Sequence, residues 1–286
     1  MGVNGILLVD KSEGWTSQDV VAKLRGVLHE KHIGHAGTLD PLATGLLVVL
    51  VGRATRAASF AEAEEKEYIA ALRLGLTTDT QDITGTVLAA SDALPTADEL
   101  CAVLPRFTGA LKQLPPMYSA IKIKGQKLYD IARRGGSVER EARDITVHSI
   151  EYLGTENGDH LLRIRCSKGT YIRTLCHDIG AVLGCGGCMA ALRRTRSGAF
   201  SVENARTISE ITENDRDGLL PIETLFPEAD ALPLDEMQER RCRCGNAFSA
   251  EAPDGKYRFY GADGAFLAYG KVTNGQAVTI KSFFEV

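Results

Sequence analysis

The stretch "GHAGTLDPLATGLLVVLVGRATR" (34–56) joins a glycine-rich segment to a continuous apolar run. The run from Leu46 to Val51 predicts a buried strand. Ahead of it, Pro41 biases Asp40 towards an extended backbone, and the neighbouring glycines permit tight turns and close approach of a ligand. The stretch therefore predicts a strand entered from a loop that carries one carboxylate. That carboxylate is either a nucleophile facing a pocket or a turn-capping aspartate before proline.

Patterns on either side of this stretch predict further elements. Strands are predicted at 4–11, 66–75, 145–153 and 160–167, with "ENGD" as the turn between the last two. Helices are predicted at 16–28 with Thr16 or Ser17 as the N-cap, at 97–107, and at 171–183 with a stop at Gly184. This mixture predicts a mixed α/β (α+β) body.

The C-terminal part has a different pattern. The acidic stretch 227–236 is typical of a linker, and residues 256–284 form short alternating runs broken by Ala-Asp-Gly and Asn-Gly. We therefore predict two domains, a catalytic body over residues 1–230 and a small β-rich module over residues 231–286.

Composition narrows the class of protein. The 286 residues carry a formal net charge of −4, and no apolar run is long enough to span a bilayer. The N-terminal residues lack the basic segment and cleavage site of a secretory signal, so we expect a cytoplasmic protein without membrane contacts. Residues 101–200 nevertheless carry sixteen Lys and Arg against eight Asp and Glu. Such a segment is typical of a phosphate-binding face, and equally of a solvated surface with segregated charges.

The seven cysteines suit a reducing compartment. Cys185 and Cys188 have the C-x-x-C spacing of a zinc or redox site, and Cys242 with Cys244 would have to supply the other half. A zinc ribbon needs two C-x-x-C knuckles, and C-x-C does not provide the second. We therefore expect no metal.

The letters His32-Ile33-Gly34-His35 spell the nucleotide-binding signature of class I aminoacyl-tRNA synthetases. An ATP site of that kind needs these histidines where a strand feeds a helix, together with a distant lysine loop. Here they follow a predicted helix and precede a glycine-rich turn. The context argues against an ATP site.

The segment 34–56 resembles the catalytic motif of the TruB family of tRNA pseudouridine synthases. Four further segments resemble that family's motifs in the same order, namely "EKEYIAALRLGLTTDTQDITG" (65–85), "PPMYSAIKIKGQKLYDIAR" (115–133), "CSKGTYIRTLCHDIG" (166–180) and "LRRTRSGAFS" (192–201). The resemblance implies a pseudouridine-synthase catalytic domain with a largely antiparallel central sheet, followed by a short PUA-like RNA-binding module.

The resemblance also implies roles by motif position. It implies that Asp40 attacks the uridine nucleoside, that Arg173 pairs with Asp40, and that Tyr171 transfers a proton or contacts the base. The implied substrate contacts are Tyr68 stacking on a flipped base, Leu192 lining the uracil pocket, His35 filling the space left in the RNA loop, and Asp82 orienting Arg173 or the substrate. Independently of the family, candidate phosphate contacts are Lys11, Lys122, Lys124, Lys127, Arg133 and Arg134, each of which is equally an ordinary solvated side chain.

The implied activity is conversion of uridine 55 in the TΨC loop of tRNA to pseudouridine, without cofactor or guide RNA, by a monomer. Attack at the ribose C1′, attack at the base C6 and a glycal route all remain open. Two alternatives are a glycoside hydrolase that pairs Asp40 with Asp79 or Asp82, and a non-catalytic RNA-binding protein that retains the pocket.

Overall fold

The computed structural model describes residues 3–62, 65–119, 121–123, 125–136, 138–216 and 218–285. Within them the strands are β1 (Gly5–Lys11), β2 (Ile33–Ala36), β3 (Thr44–Val51), β4 (Glu65–Leu74), β5 (Leu76–Thr78), β6 (Val87–Ala90), β7 (Gly109–Gln113), β8 (Lys122–Ile123), β9 (Gln126–Lys127), β10 (Arg143–Glu156), β11 (Asp159–Ser167), β12 (Gly187–Ser197), β13 (Phe200–Ser201), β14 (Arg206–Thr207), β15 (Asp230–Pro233), β16 (Phe248–Ser249), β17 (Gly255–Tyr260), β18 (Phe266–Thr273) and β19 (Gln276–Ser282). The α-helices are α1 (Ser17–Val27), α2 (Ala58–Ala61), α3 (Ala97–Val103), α4 (Leu128–Arg133), α5 (Ile172–Leu183) and α6 (Glu236–Arg243).

A ten-stranded sheet forms the centre of the molecule. Its strand order is β14-β1-β3-β12-β4-β11-β10-β7, with β2 paired to β3 and β13 paired to β12. The β1–β14 and β3–β12 pairs are parallel, and the other pairs described in this sheet are antiparallel. The prediction of a mixed α/β fold with a largely antiparallel central sheet is confirmed.

Local signals account for several elements. The hydroxyl of Thr16 accepts from the Asp19 amide while the Asp19 carboxylate accepts from the Thr16 amide, a capping box that starts α1 as predicted. Asn157 and Gly158 both have positive φ, which matches the two-residue turn predicted between β10 and β11. Gly184 ends α5 in the left-handed conformation, also as predicted.

Several elements differ from the sequence predictions, among them the three that follow. Strand β12 is not among the predicted strands, and its three arginines interrupt the apolar pattern that marks a buried strand. The expected linker 227–236 contains β15, which pairs in parallel with β17, and this tertiary pairing leaves no local pattern. The α-helix predicted to reach residue 107 ends at Val103, and a 3₁₀ turn containing Pro105 follows, because proline cannot donate the next helical hydrogen bond.

The two faces of the central sheet are buried in different ways. Along β1, Leu7 and Val9 contribute to a core shared with α1, α3 and α5, whereas Ile6 and Leu8 point to the opposite face. On that second face the C-terminal module packs against the sheet, and Tyr269 of the module is buried there. Because both faces are covered, the sheet is a rigid platform for residues at its ends.

The C-terminal module is a five-stranded sheet of order β15-β17-β18-β19-β16 with its own buried cluster around Phe259. The prediction of a β-rich C-terminal module is confirmed. Across the whole described chain, no helix is both long and apolar enough to cross a membrane.

Candidate active site

The loop between β2 and β3 presents Asp40 from a tight turn. The Ala43 amide donates to the Asp40 carbonyl over 3.0 Å, which closes the turn around Pro41. The Pro41 carbonyl in turn accepts from the Gly14 amide at 2.8 Å and from Lys11 Nζ at 3.4 Å. The backbone after the carboxylate is therefore fixed by the segment that links β1 to α1.

The backbone before Asp40 is fixed by Ser17, the first residue of α1. The buried Ser17 hydroxyl donates to the Leu39 carbonyl at 3.1 Å and accepts from the Leu39 amide at 2.9 Å. The local sequence predicts only a helix-capping role for Ser17, because this contact joins residues 22 positions apart.

Arg194 of β12 binds both ends of the carboxylate loop. Its Nε donates to the Leu46 carbonyl at 2.7 Å and its Nη2 donates to the Gly37 carbonyl at 3.0 Å. The residue is completely buried, so these carbonyl contacts compensate for much of the lost hydration of the guanidinium. Arg194 is not among the site residues predicted from the sequence. The signal that could have identified it is its position two residues after the buried Leu192, which places both side chains on the same face of a strand.

Arg173, near the start of α5, joins the carboxylate loop to two other segments. Its Nε lies 2.9 Å from Asp40 Oδ2. Its Nη1 and Nη2 donate to the carbonyls of Thr80 and Tyr118 at 3.2 and 2.8 Å, and Nη1 lies 3.7 Å from Asp82 Oδ2. The guanidinium is thus held by four groups and presents one edge to Asp40.

The two carboxylates beside Arg173 differ in access. Asp82 is buried, and its Oδ1 accepts from the hydroxyls of Thr80 and Thr84 at 2.9 and 2.5 Å. The Asp40 side chain is 41% exposed, against 9% for Asp82. Asp40 is therefore the carboxylate that a ligand can reach, and Asp82 supports the arginine.

A cleft of about 400 Å³ opens over Asp40, a size typical of sites for small molecules or single nucleotides. Apolar and aromatic walls come from Tyr68 of β4, Leu192 of β12 and Tyr171 at the start of α5. Burial raises the pKa of both tyrosines, so both phenols stay protonated near neutral pH.

Cationic side chains surround the same cleft. Lys66, Lys168, Arg173 and Arg194 all contribute to its lining. Burial lowers the pKa of Lys66, and the neighbouring Arg194 lowers it further. This concentration of positive charge favours an anionic ligand.

Lys11 does not occupy the place expected of a phosphate contact. It is fully buried, and its Nζ donates to the carbonyls of Ser12 and Trp15 at 3.0 and 2.7 Å, in addition to Pro41. Burial lowers the pKa of Lys11 to about 8, while the nearby Asp40 opposes the shift. The expectation is corrected: Lys11 belongs to the framework of the loop.

The two histidines of the opening motif differ. His32 is largely exposed and its Nδ1 lies 3.3 Å from the Glu30 carboxylate. His35, on β2, is half-buried. Burial lowers the pKa of His35, and Arg194 lowers it further, so its ring is neutral near pH 7. The pair does not form a joint nucleotide site.

The basic run expected to contact RNA is only partly described. Lys124 and the side chains of Lys122, Lys127 and Arg133 lie outside the described residues. Arg134 is exposed.

Other candidate chemistries find less support. Arg173 lies between Asp40 and Asp82, so these carboxylates do not face one another across an open space as a hydrolase pair would. In the part of the chain that is described, no three His, Cys, Asp or Glu side chains form a group that could hold a metal. Burial raises the pKa of Cys188 to about 11, which disfavours the thiolate.

Two family models match the chain. "TruB family pseudouridylate synthase (N terminal domain)" matches residues 25–172, and "tRNA pseudouridylate synthase B C-terminal domain" matches residues 173–227.

Curated relatives match over most of their length. The tRNA pseudouridine synthase B of Alkaliphilus oremlandii is 48% identical over 223 residues, covering 77% of this chain and 75% of the relative. That of Aromatoleum aromaticum is 42% identical over 274 residues, covering 94% and 89%.

Two solved structures share the fold. A Cbf5-Nop10-Gar1 complex contains a chain that is 26% identical with a TM-score of 0.72, covering 99% of this chain and 84% of that one. An H/ACA RNP bound to a substrate RNA containing 2'-deoxyuridine contains a chain that is 25% identical with the same TM-score, covering 98% and 85%.

Proposed function

Because the chain belongs to the TruB family of pseudouridylate synthases, we propose that it isomerises uridine 55 in the TΨC loop of tRNA to pseudouridine. The observation that carries the proposal is the accessible carboxylate of Asp40, 2.9 Å from Arg173 in a cleft with aromatic walls. A carboxylate oriented by a guanidinium at an apolar cleft suits attack on a nucleoside.

The chemistry exchanges one bond to the ribose for another. The C1′–N1 bond breaks, the base rotates, C1′ joins C5, and C5 loses a proton while N1 gains one. Attack by Asp40 on C1′, attack on C6 and a glycal route all use a carboxylate at this place. Arg173 orients the Asp40 carboxylate, and Asp82 holds Arg173 in turn.

The uracil is recognised outside its stack. A base in a folded RNA loop must be flipped out to reach a carboxylate that lies in a cleft. Tyr68 stacks on it, an interaction worth about 1–3 kcal/mol, and Leu192 packs against it. Burial raises the pKa of Tyr171, so its phenol stays protonated near neutral pH, and we assign to it either a contact with the base or the transfer of a proton.

The rest of the chain serves RNA binding. Lys66 and Lys168, the cleft cations that are not fully buried, meet the RNA backbone, and His35 enters the loop where the flipped base leaves a space. Residues 1–230 form the catalytic domain, and residues 231–286 form a PUA-like RNA-binding module. We propose a cytoplasmic monomer that acts without cofactor or guide RNA. The proposal that its substrate is tRNA is supported by relatives named tRNA pseudouridine synthase B, which align over most of both chains.

The test is conversion of an unmodified tRNA transcript, with pseudouridine mapped by base-specific chemistry. Pseudouridine is expected at position 55, with EDTA present and without ATP or other RNA. Product at another position would overturn the choice of substrate.

The Asp40→Asn variant tests the mechanism. It is expected to bind tRNA and to form no product. Asp79→Asn is the matched control, since Asp79 is exposed and its carboxylate accepts only the Thr86 amide among the hydrogen bonds described. Full activity of Asp40→Asn would exclude attack by the Asp40 carboxylate, whereas a wild-type protein that binds tRNA and forms no product would support the RNA-binding alternative.

A further inference from the structure

Gln113, the last residue of β7, is buried with 4% of its surface exposed. Its side-chain amide makes two hydrogen bonds to the backbone of a single residue. Oε1 accepts from the Tyr171 amide at 2.8 Å, and Nε2 donates to the Tyr171 carbonyl at 3.0 Å. This pairing copies the way in which two strands exchange hydrogen bonds, so it fixes the backbone of Tyr171 on both sides of its side chain.

The residue held in this way begins a helix. Tyr171 is the N-cap residue of α5, and no side-chain capping hydrogen bond forms at this helix start. Its carbonyl also accepts from the Leu175 amide at 3.1 Å. The first amides of a helix lack intrahelical partners. Gln113 therefore anchors the start of α5 from a strand 58 residues away in sequence.

The segment that follows Gln113 holds Arg173. The Tyr118 carbonyl accepts from Arg173 Nη2 at 2.8 Å. Residues 113–118 thus bind both ends of the Tyr171–Arg173 tripeptide. The Gln113 side chain binds Tyr171, and the Tyr118 carbonyl binds Arg173. Gln113 itself lies behind the cleft and does not belong to its lining.

We propose that Gln113 is a positioning residue for the isomerisation: its amide sets the Tyr171 backbone so that the phenol and the Arg173 guanidinium reach the uridine and Asp40 together. The inference rests on the proposed function. A positioning residue of this kind lowers the rate of the chemical step when it is lost, and leaves substrate affinity nearly unchanged, because the groups that touch RNA remain present.

The test replaces Gln113 by Met, which has similar length and cannot form either hydrogen bond. The expected result is a kcat about 10- to 100-fold lower, with KM for tRNA changed less than about twofold. Gln113→Asn keeps a polar amide on a side chain that is one methylene shorter. It cannot reach both backbone groups and is expected to lower kcat in the same direction.

Thr96→Ala is the matched control. The Thr96 side chain exchanges hydrogen bonds with Glu99 at the start of α3, so its loss weakens a helix start in the same layer without touching the cleft. Its kcat is expected to equal that of the wild type. Equal losses of kcat in Thr96→Ala and Gln113→Met would overturn the inference, as would an unchanged kcat in Gln113→Met.

Amide hydrogen exchange tests the two hydrogen bonds between the Gln113 side chain and the Tyr171 backbone without any assay of activity. Gln113→Met is expected to accelerate exchange at Tyr171 and the first turn of α5, and to leave the first turn of α3 unchanged. An unchanged exchange rate at Tyr171 would refute the claim that Gln113 fixes the Tyr171 backbone. A wild-type protein that forms no pseudouridine would refute the proposed function. The exchange result would then still decide whether Gln113 fixes the Tyr171 backbone.

Discussion

Gly45 offers a test of how closely the carboxylate loop is bound to β12. It is the second of the two β3 residues paired with β12, opposite Arg194, and its φ is +94°. A Cβ added at Gly45 would lie 2.3 Å from the Arg194 carbonyl oxygen and 2.8 Å from the Arg194 amide nitrogen. These are backbone atoms, so no side-chain rotation relieves the overlap.

The cost of Gly45→Ala follows from that geometry. A positive φ costs an L-residue about 1–2 kcal/mol. Separating β3 from β12 enough to admit a methyl group breaks about two backbone hydrogen bonds, each worth about 1 kcal/mol. The total of about 3–4 kcal/mol is a large part of the stability of an ordinary domain, which is about 5–15 kcal/mol.

Urea denaturation followed by circular dichroism measures this loss. Gly26→Ala is the matched control, because Gly26 lies exposed in α1 with nothing within 4 Å of an added Cβ. The control is expected to gain up to about 1 kcal/mol from helix propensity. A Gly45→Ala variant within about 1 kcal/mol of the wild type would refute the close approach of the loop to β12.

Two further predictions concern the site. Arg173→Lys is expected to lower the single-turnover rate at least about 100-fold with tRNA affinity retained, because an ammonium cannot reproduce the fork that reaches Asp40 and two carbonyls; a rate within about threefold of the wild type would contradict this. The pKa of Lys11 is lowered to about 8, so Nζ loses one of its three N–H donors as the pH rises through 8, and turnover is expected to fall. In Lys11→Arg the decrease in turnover above pH 8 is expected to be smaller. Between pH 8 and 10.5 the unfolded chain still binds this proton, so the Lys11 contribution to the free energy of unfolding rises with pH, and urea denaturation across this range separates loss of rate from loss of fold.

Local sequence signals predicted many of the elements and the loop around Asp40. The capping box at Thr16, the turn at Asn157 and the stop at Gly184 each depend on residues a few positions apart. Such signals act within one turn or hairpin, so they can be recognised in a short segment without information on the rest of the chain. The same is true of the proline and glycines that shape the loop.

The supports of the site could not be predicted in this way. Arg194 reaches Leu46 across 148 residues, and Gln113 reaches Tyr171 across 58. Charged side chains are usually exposed, so the arginines of β12 give no sign of a central strand. In the structure the strand lies in the middle of the sheet, and backbone carbonyls accept from the Arg194 guanidinium.

The sequence by itself determined a carboxylate on a glycine-rich loop before a buried strand, together with the family to which its motifs belong. The tertiary structure decided which groups surround Asp40, that Lys11 lies inside the framework, and that Asp82 is closed to ligands while Asp40 is open. The physical reason is that burial and charge pairing depend on strand order, and strand order arises from contacts between segments that carry no mutual signal in local periodicity.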